Sequence, residues 1–238
     1  MAMPPPTEMV IYGHRGAAGE APENTLAGID ALVRLGIKRV EIDLRLSADG
    51  EIMVNHDASL WRNRAVSGKI ASLSAAAIAA ATSHSAYPVP TLIEILQAFP
   101  HLEHLQLEIK PAPALTLSRL ARRLAEIVEL THWPLKRLCA TSSSENALMA
   151  VTRALPSMER GLVVIDYAML SRLHHLGCSI ACIEHRVLTR WLISRLRRQG
   201  IAVSAWTVNE PKQIQRLRSL GCDSIITDFP QLALNALR

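Results

Sequence analysis

Short apolar runs rich in β-branched residues alternate with amphipathic ones along the whole chain. Runs suited to buried strands stand at "MVIYG", "VEIDLR", "HLQLEIK", "RLCAT", "GLVVI", "SIACIE", "AVSAWTV" and "SIITD". Between them, apolar positions three and four apart mark helical stretches. These are "ENTLAGIDALVRLG", "TLIEILQAF", "LTLSRLARRLAEIVEL", "SENALMAVTRALP", "YAMLSRLHHLG", "TRWLISRLRRQG", "EPKQIQRLRSLG" and the terminal "PQLALNALR". Several reach a glycine just before the next strand, at Gly36, Gly177, Gly200 and Gly221. A left-handed glycine there ends a helix and turns the chain back to a sheet. Eight strand–helix units in 238 residues predict an α/β fold, a (β/α)8 TIM barrel forming one domain over 1–238. An open doubly wound sheet is the runner-up, but no glycine-rich dinucleotide fingerprint follows the first strand.

The second strand departs from this rhythm. After "VEIDLRL" only "SADGE" intervenes before the apolar run "IMVNH". So short a link joins antiparallel strands only. The run "EIMVNH" is therefore the return arm of an antiparallel hairpin, not another barrel strand. Folding about Asp49 brings His56 and Asp57 back to the level of Glu41 and Asp43, to within about a residue of register. Residues 58–90 then form a small, partly helical insertion over the barrel mouth.

Composition narrows the classes. Apolar residues make up 49% of the chain but aromatic ones only 4%, so the core is aliphatic. The net charge of +5 comes from Lys and Arg scattered on helix faces without interleaved aromatics, which argues against a nucleic-acid surface. Cys139, Cys178, Cys182 and Cys222 lack metal-knuckle spacing and read as small buried filler in a reducing compartment. The opening "MAMPPPTEMV" has neither a basic region nor an apolar one, and "IASLSAAAIAAA" is too short to span a bilayer. The expectation is a cytoplasmic protein with no stable membrane insertion. A homodimer is compatible with this composition.

Alternation along strands puts Glu41 and Asp43 on one face, and Glu108 and Lys110 on one face of the next barrel strand. An ionised carboxylate buried alone in a barrel is prohibitively costly, whereas a cation among three makes them tolerable. All-oxygen ligands suit one divalent cation, Mg2+ or Ca2+ or else Mn2+, and not Zn2+. The competing reading is a set of salt bridges to Arg15, Arg45 or Lys110. At the end of the first strand, where barrel enzymes keep their active sites, stand His14 and Arg15, and "PENT" begins a helix that Asn24 or Thr25 can cap. Two imidazoles, His14 and His56, beside a divalent metal and the cations Arg15 and Lys110 suit work on a phosphate. The cations neutralise it, while one His removes a proton from the attacking oxygen and the other donates one to the leaving oxygen. Ser142, Ser143 and Ser144 read as a helix start, since no nucleophile elbow surrounds them. Trp206, Asn209 and Asp228 lie at the last strand ends, and Trp206 is a candidate wall of a substrate pocket.

These motifs together resemble the glycerophosphodiester phosphodiesterase family. "GHRG", "APENT", "EIDLRLSADGEIMVNHD", "PTLIEIL", "LEIK", "AWTVNEP" and "GCDSIITDFP" stand in that family's order and spacing. The resemblance implies a (β/α)8 barrel that hydrolyses small glycerophosphodiesters to glycerol 3-phosphate and an alcohol, dependent on metal. It implies His14 and His56 as catalytic pair, Glu41, Asp43 and Glu108 as metal ligands, and Arg15 and Lys110 as phosphate contacts. Two stretches depart from the family pattern. Trp61 and Asn63 replace the Asp and Thr of a Leu-Asp-Arg-Thr run, and "CATSSSENAL" has no Phe after its serines. Both bear on substrate choice more than on reaction type.

The mechanism expected is attack on phosphorus either by the substrate's own hydroxyl, through a cyclic phosphate, or by water. An alternative is a phospholipase D-like lyase acting on lysophospholipid or sphingolipid head groups, with Leu60, Trp61, Val66 and Ile70 as an apolar mouth. A non-catalytic phosphate-binding barrel is disfavoured, because it predicts loss of a His or an acid that this chain retains.

Overall fold

The computed structural model describes residues 8–64, 66–83, 85 and 87–238, and in it the opening segment and the side chains of Asn63 and Arg64 fall outside what is described. Eight strands run parallel: β1 (Val10–His14), β2 (Arg39–Leu46), β4 (His104–Ile109), β5 (Leu138–Ser142), β6 (Glu159–Val164), β7 (Ile180–Glu184), β8 (Ala202–Trp206) and β9 (Ser224–Thr227). β1 pairs with both β2 and β9, which closes the sheet into a barrel. The open-sheet alternative is thereby excluded. Helices α1 (Leu26–Arg34), α4 (Leu92–Ala98), α5 (Ala114–Thr131), α6 (Glu145–Ala154), α7 (Arg190–Arg198), α8 (Pro211–Leu220) and α9 (Pro230–Leu237) surround it.

The alternation in the sequence has a direct spatial meaning. In β2, Val40, Ile42, Leu44 and Leu46 join the core under the helices, and in β4 Leu105, Leu107 and Ile109 do the same. The other parity is left for the barrel lumen, and there it is polar or small: Gln106 donates to Ser204 Oγ at 3.3 Å, with Cys139 and Cys182 nearby in an interior cluster. All four cysteines are buried and free. Thr25 caps α1, its hydroxyl accepting from the Gly28 N–H, and Ser144 caps α6, as a helix-start serine should. The stop glycines are all left-handed, with φ of 82° at Gly36, 60° at Gly177, 75° at Gly200 and 79° at Gly221.

One expected helix is not an α-helix. "YAMLSRLHHLG" begins as a 3-10 turn over Tyr167–Arg172, opened by Asp166 accepting from the Ala168 N–H. A 3-10 helix rises about 2.0 Å per residue against about 1.5 Å for an α-helix. The short run therefore still carries the chain back to the start of β7, while Met169, Leu173 and Leu176 reach the core.

β3 (Ile52–Val54) is the return arm, antiparallel to β2 with Leu44 opposite Val54 and Leu46 opposite Ile52. It serves two cores at once. Ile52 and Val54 pack into the main core, and Met53 points the other way, into a small core with Leu60, Ile70, Ile78 and Val89. The insertion carries α2 (Trp61–Arg64), a 3-10 turn and α3 (Ala75–Thr82) around that small core. Leu60 and Ile70 are thus buried rather than lining a mouth, and Val66 packs against them; of the four residues expected there, Trp61 is the exposed one. Truncating Ile78 to Ala opens a cavity in this core and is expected to cost about 2–5 kcal/mol, read as a lower urea midpoint. An unchanged midpoint would mean that the insertion unfolds apart from the barrel.

Candidate active site

β2 and β4 pair with Asp43 opposite Glu108. Glu41, Asp43 and Glu108 each offer an oxygen within 4.8 Å of the others'. Glu41 and Asp43 are buried. Two cations are threaded among them. Lys110 Nζ lies 2.7 Å from Asp43 Oδ1 and 2.6 Å from Glu108 Oε1, and Arg15 Nε lies 3.2 Å from Asp43 Oδ2. Arg45 is not part of this set; it donates to the His56 carbonyl instead.

The loop after β1 is shaped for the cluster. Arg15 and Asn24 are left-handed, with φ of 52° and 54°. Such a backbone costs an L residue roughly 1–2 kcal/mol. In return the Arg15 N–H donates to Glu41 Oε2 at 3.1 Å. Asn24 uses both ends of its amide on Asp43: its NH2 donates to Oδ2 at 2.8 Å and its carbonyl accepts the Asp43 N–H at 3.2 Å. "PENT" is therefore more than helix-start grammar, with Thr25 as the cap and Asn24 as a bracket for an acid. Glu23 in turn accepts from Arg15 and from Arg62 of the insertion.

The electrostatics are uneven. Burial, then the Asp43 charge, push the Glu41 carboxyl up to about 8. Burial also pushes Asp43 upward, but the charges of Lys110 and Arg15 outweigh it and hold that carboxyl below its ordinary range. Burial pulls the Lys110 ammonium down, and the carboxylates of Asp43 and Glu108 return it above normal. Glu41 Oε1 is buried with no hydrogen-bond partner among the described residues. An orphaned carboxylate oxygen beside two others is what a hard cation would satisfy, so the donor set fits a divalent ion.

Each imidazole has a carboxylate on Nδ1. His14 Nδ1 lies 2.6 Å from Asp228 Oδ1, and His56 Nδ1 lies 2.7 Å from Asp57 Oδ1. Asp228 is held by Asn209, whose amide donates to Oδ2 at 2.6 Å and whose carbonyl accepts the Asp228 N–H at 2.9 Å. Asp57 also accepts from Arg62, and its carboxyl is lowered to about 2, mainly by that bond. Burial lowers the His14 ring, but the Asp228 bond and the Glu41 charge carry it above its ordinary value. A carboxylate on Nδ1 fixes that nitrogen as the donor and leaves Nε2 for chemistry.

The eight residues expected to be catalytic, metal-binding or substrate-binding all lie at this end of the barrel. Seven of them, His14, Arg15, Glu41, His56, Glu108, Lys110 and Trp206, line one cavity of about 230 Å³, and Asp43 lies behind it in contact with Lys110. A larger cavity of about 440 Å³ opens near the start of β1, at the opposite end of the barrel, and contains none of these groups. Asp57, Asp228 and Arg62 carry no expected role from the sequence, and Asn24 only that of a possible helix cap, which Thr25 fills instead. The dipeptide His56-Asp57 was a local signal for one of these contacts, whereas 214 positions separate His14 from Asp228.

Carboxylates, cations and paired imidazoles at the C-terminal mouth of a (β/α)8 barrel define an oxyanion-handling barrel of the enzyme type. The chain belongs to the Glycerophosphoryl diester phosphodiesterase family, whose profile matches residues 14–232. It is 24% identical to a glycerophosphodiester phosphodiesterase of Caldanaerobacter subterraneus, over 96% of this chain and 98% of that one. It is also 24% identical to human lysophospholipase D GDPD1, over 91% of this chain and 82% of that one. Among solved structures, an Oleispira antarctica phosphodiesterase in complex with the product sn-glycerol-3-phosphate superposes with a TM-score of 0.87 at 30% identity, covering 95% and 96% of the two chains.

Glu41 yields a test of the electrostatics. A carboxyl raised from 4.5 in the unfolded chain to about 8 in the fold takes up a proton on folding. Its contribution to stability is thus full below 4.5 and is lost as pH rises through about 8. Without divalent cations, Glu41→Gln is expected to raise Tm at pH 8, the gain shrinking toward pH 5. A gain independent of pH would show that Glu41 is not the strained group.

Proposed function

We propose that this protein hydrolyses glycerophosphodiesters to glycerol 3-phosphate and an alcohol, with His14 and His56 as acid and base and a divalent cation held by Glu41, Asp43 and Glu108. One observation carries the reading: both rings line the cavity that Glu41 and Glu108 also line, and each has its Nδ1 held by an Asp. A cation bound there supplies charge to offset the phosphate and lowers the pKa of a hydroxyl beside it. The oxygen donors fit Mg2+, Ca2+ or Mn2+ alike.

The chain's own groups do the rest. Arg15 and Lys110 line the cavity and contact the phosphate, and their pairing with Asp43 and Glu108 holds both cations at the carboxylate cluster. One Nε2 takes the proton of the attacking oxygen, from water or from the glycerol hydroxyl, and the other delivers one to the departing alcohol. Asp228 and Asp57 hold the two rings in orientation, and Arg62 ties Asp57 to Glu23 of the first loop.

Among the described residues no helix is long and apolar enough to cross a membrane. The four free cysteines support a reducing, cytoplasmic setting. Arg123 is engaged by Glu51 and Glu126, and the mostly buried Arg197 by Asp223, which supports a small-molecule substrate over nucleic acid.

Release of glycerol 3-phosphate should stop on chelation and return with an added divalent ion. His56→Ala should lower turnover by about 10² to 10⁴ with Tm preserved. Full turnover in EDTA removes the cation from the reading, and an unchanged rate in the variant removes His56.

A further inference from the structure

Beside the catalytic cavity lies a second one of about 160 Å³, and Ile165 and Trp206 line both. Its other walls include Tyr167, Val187, Asp166 and Glu184. In the closed sheet, the strands running in order β1, β2, β4 to β9, β7 and β8 stand opposite β2 and β4. The small cavity thus lies across the mouth from the acid triad. Glu184 and Trp206 are register partners at the ends of β7 and β8. Along β7, Glu184 shares the parity of Cys182, which lines the catalytic cavity, so it continues the lumen-facing row.

We propose that this cavity is the subsite for the departing alcohol and that it selects an alcohol bearing a methylated, positively charged nitrogen. The inference rests on the hydrolase reading above. A diester with its phosphate over the carboxylate–cation cluster extends one arm across the mouth, where these walls wait. The walls combine two features that few ligands satisfy together. Ile165, Val187 and the rings of Tyr167 and Trp206 are apolar, while Glu184 and Asp166 are acids. A quaternary ammonium presents methyl groups to the former and a positive charge to the latter and to the aromatic faces. Since a water's share of liquid is about 30 Å³, the space suits a group of four or five heavy atoms. Glu184 is now paired with Arg186, but that guanidinium is 77% exposed and two residues away, and exposed pairs of this kind are worth little. An incoming cation can displace it. Trp206, which both cavities share with Ile165, has a buried indole N–H with no acceptor among the described residues, a donor left for an oxygen of the diester and not for the ammonium.

The test compares kcat/KM for glycerophosphocholine and for the neutral glycerophosphoglycerol in the intact protein with its divalent ion. A single cation–aromatic contact plus a carboxylate predicts a preference of about 10-fold or more for the choline ester. Glu184→Gln and, separately, Tyr167→Leu should each compress that ratio toward one. Saturation-transfer NMR should detect free choline bound to the wild type and less of it on Glu184→Gln. Equal kcat/KM for both esters in the wild type overturns the subsite and leaves hydrolysis standing. Choline bound through Glu184 without release of glycerol 3-phosphate from either ester supports the subsite and overturns the hydrolase reading. Neither binding nor release overturns both.

Discussion

The site is organised by a charge imbalance enclosed in the barrel. Three carboxylates, Glu41, Asp43 and Glu108, converge within 4.8 Å, and two cations, Arg15 and Lys110, lie in contact with them. Burial and the Asp43 charge weigh most on Glu41, whose carboxyl rises to about 8 and whose Oε1 has no partner among the described residues. A buried charge without compensation neutralises itself or finds a counterion. A proton on Glu41 relieves the strain at neutral pH, and a divalent ion held by the three acids would relieve it while adding positive charge toward a phosphate. On the proposed function, the cluster that strains the barrel is also the one that would hold the ion a diester needs.

The surrounding architecture holds that cluster open. The left-handed backbone at Arg15 turns its N–H onto Glu41, and Asn24 brackets Asp43 with both ends of its amide. The antiparallel arm β3 returns the chain so that the Asn55 N–H meets the Asp43 carbonyl, placing His56 at the lip. The insertion then reaches back through Arg62 to both Asp57 and Glu23. Elements that look peripheral, a two-stranded hairpin and a small insertion with its own core, set the position of one imbalance and one imidazole.

Much of this was legible from spacing. Alternation in "VEIDLRL" and "LQLEIK" put Glu41, Asp43, Glu108 and Lys110 inside, and the five-residue link "SADGE" fixed the hairpin register closely enough to bring His56 level with Ile42, between the two acids. What escaped was non-local or cooperative. The His14–Asp228 contact joins the first strand to the end of the last, a closure no local pattern encodes. Leu60 and Ile70 looked like an apolar mouth because the face they bury depends on Met53, a residue of the hairpin, turning toward them. The 3-10 run at Tyr167–Arg172 carries helix periodicity, and apolar spacing alone does not separate it from an α-helix.

Glu41, Asp43 and Glu108 are proposed to hold a divalent ion. Crystals soaked in Mn2+ and measured at its absorption edge test it most directly. The account predicts one anomalous peak within coordination distance, about 2.0–2.6 Å for hard oxygen ligands, of an oxygen from each of the three acids, with Lys110 moved off at least one of them. A peak elsewhere, or none at these three residues while Lys110 keeps both of its carboxylates, would contradict it.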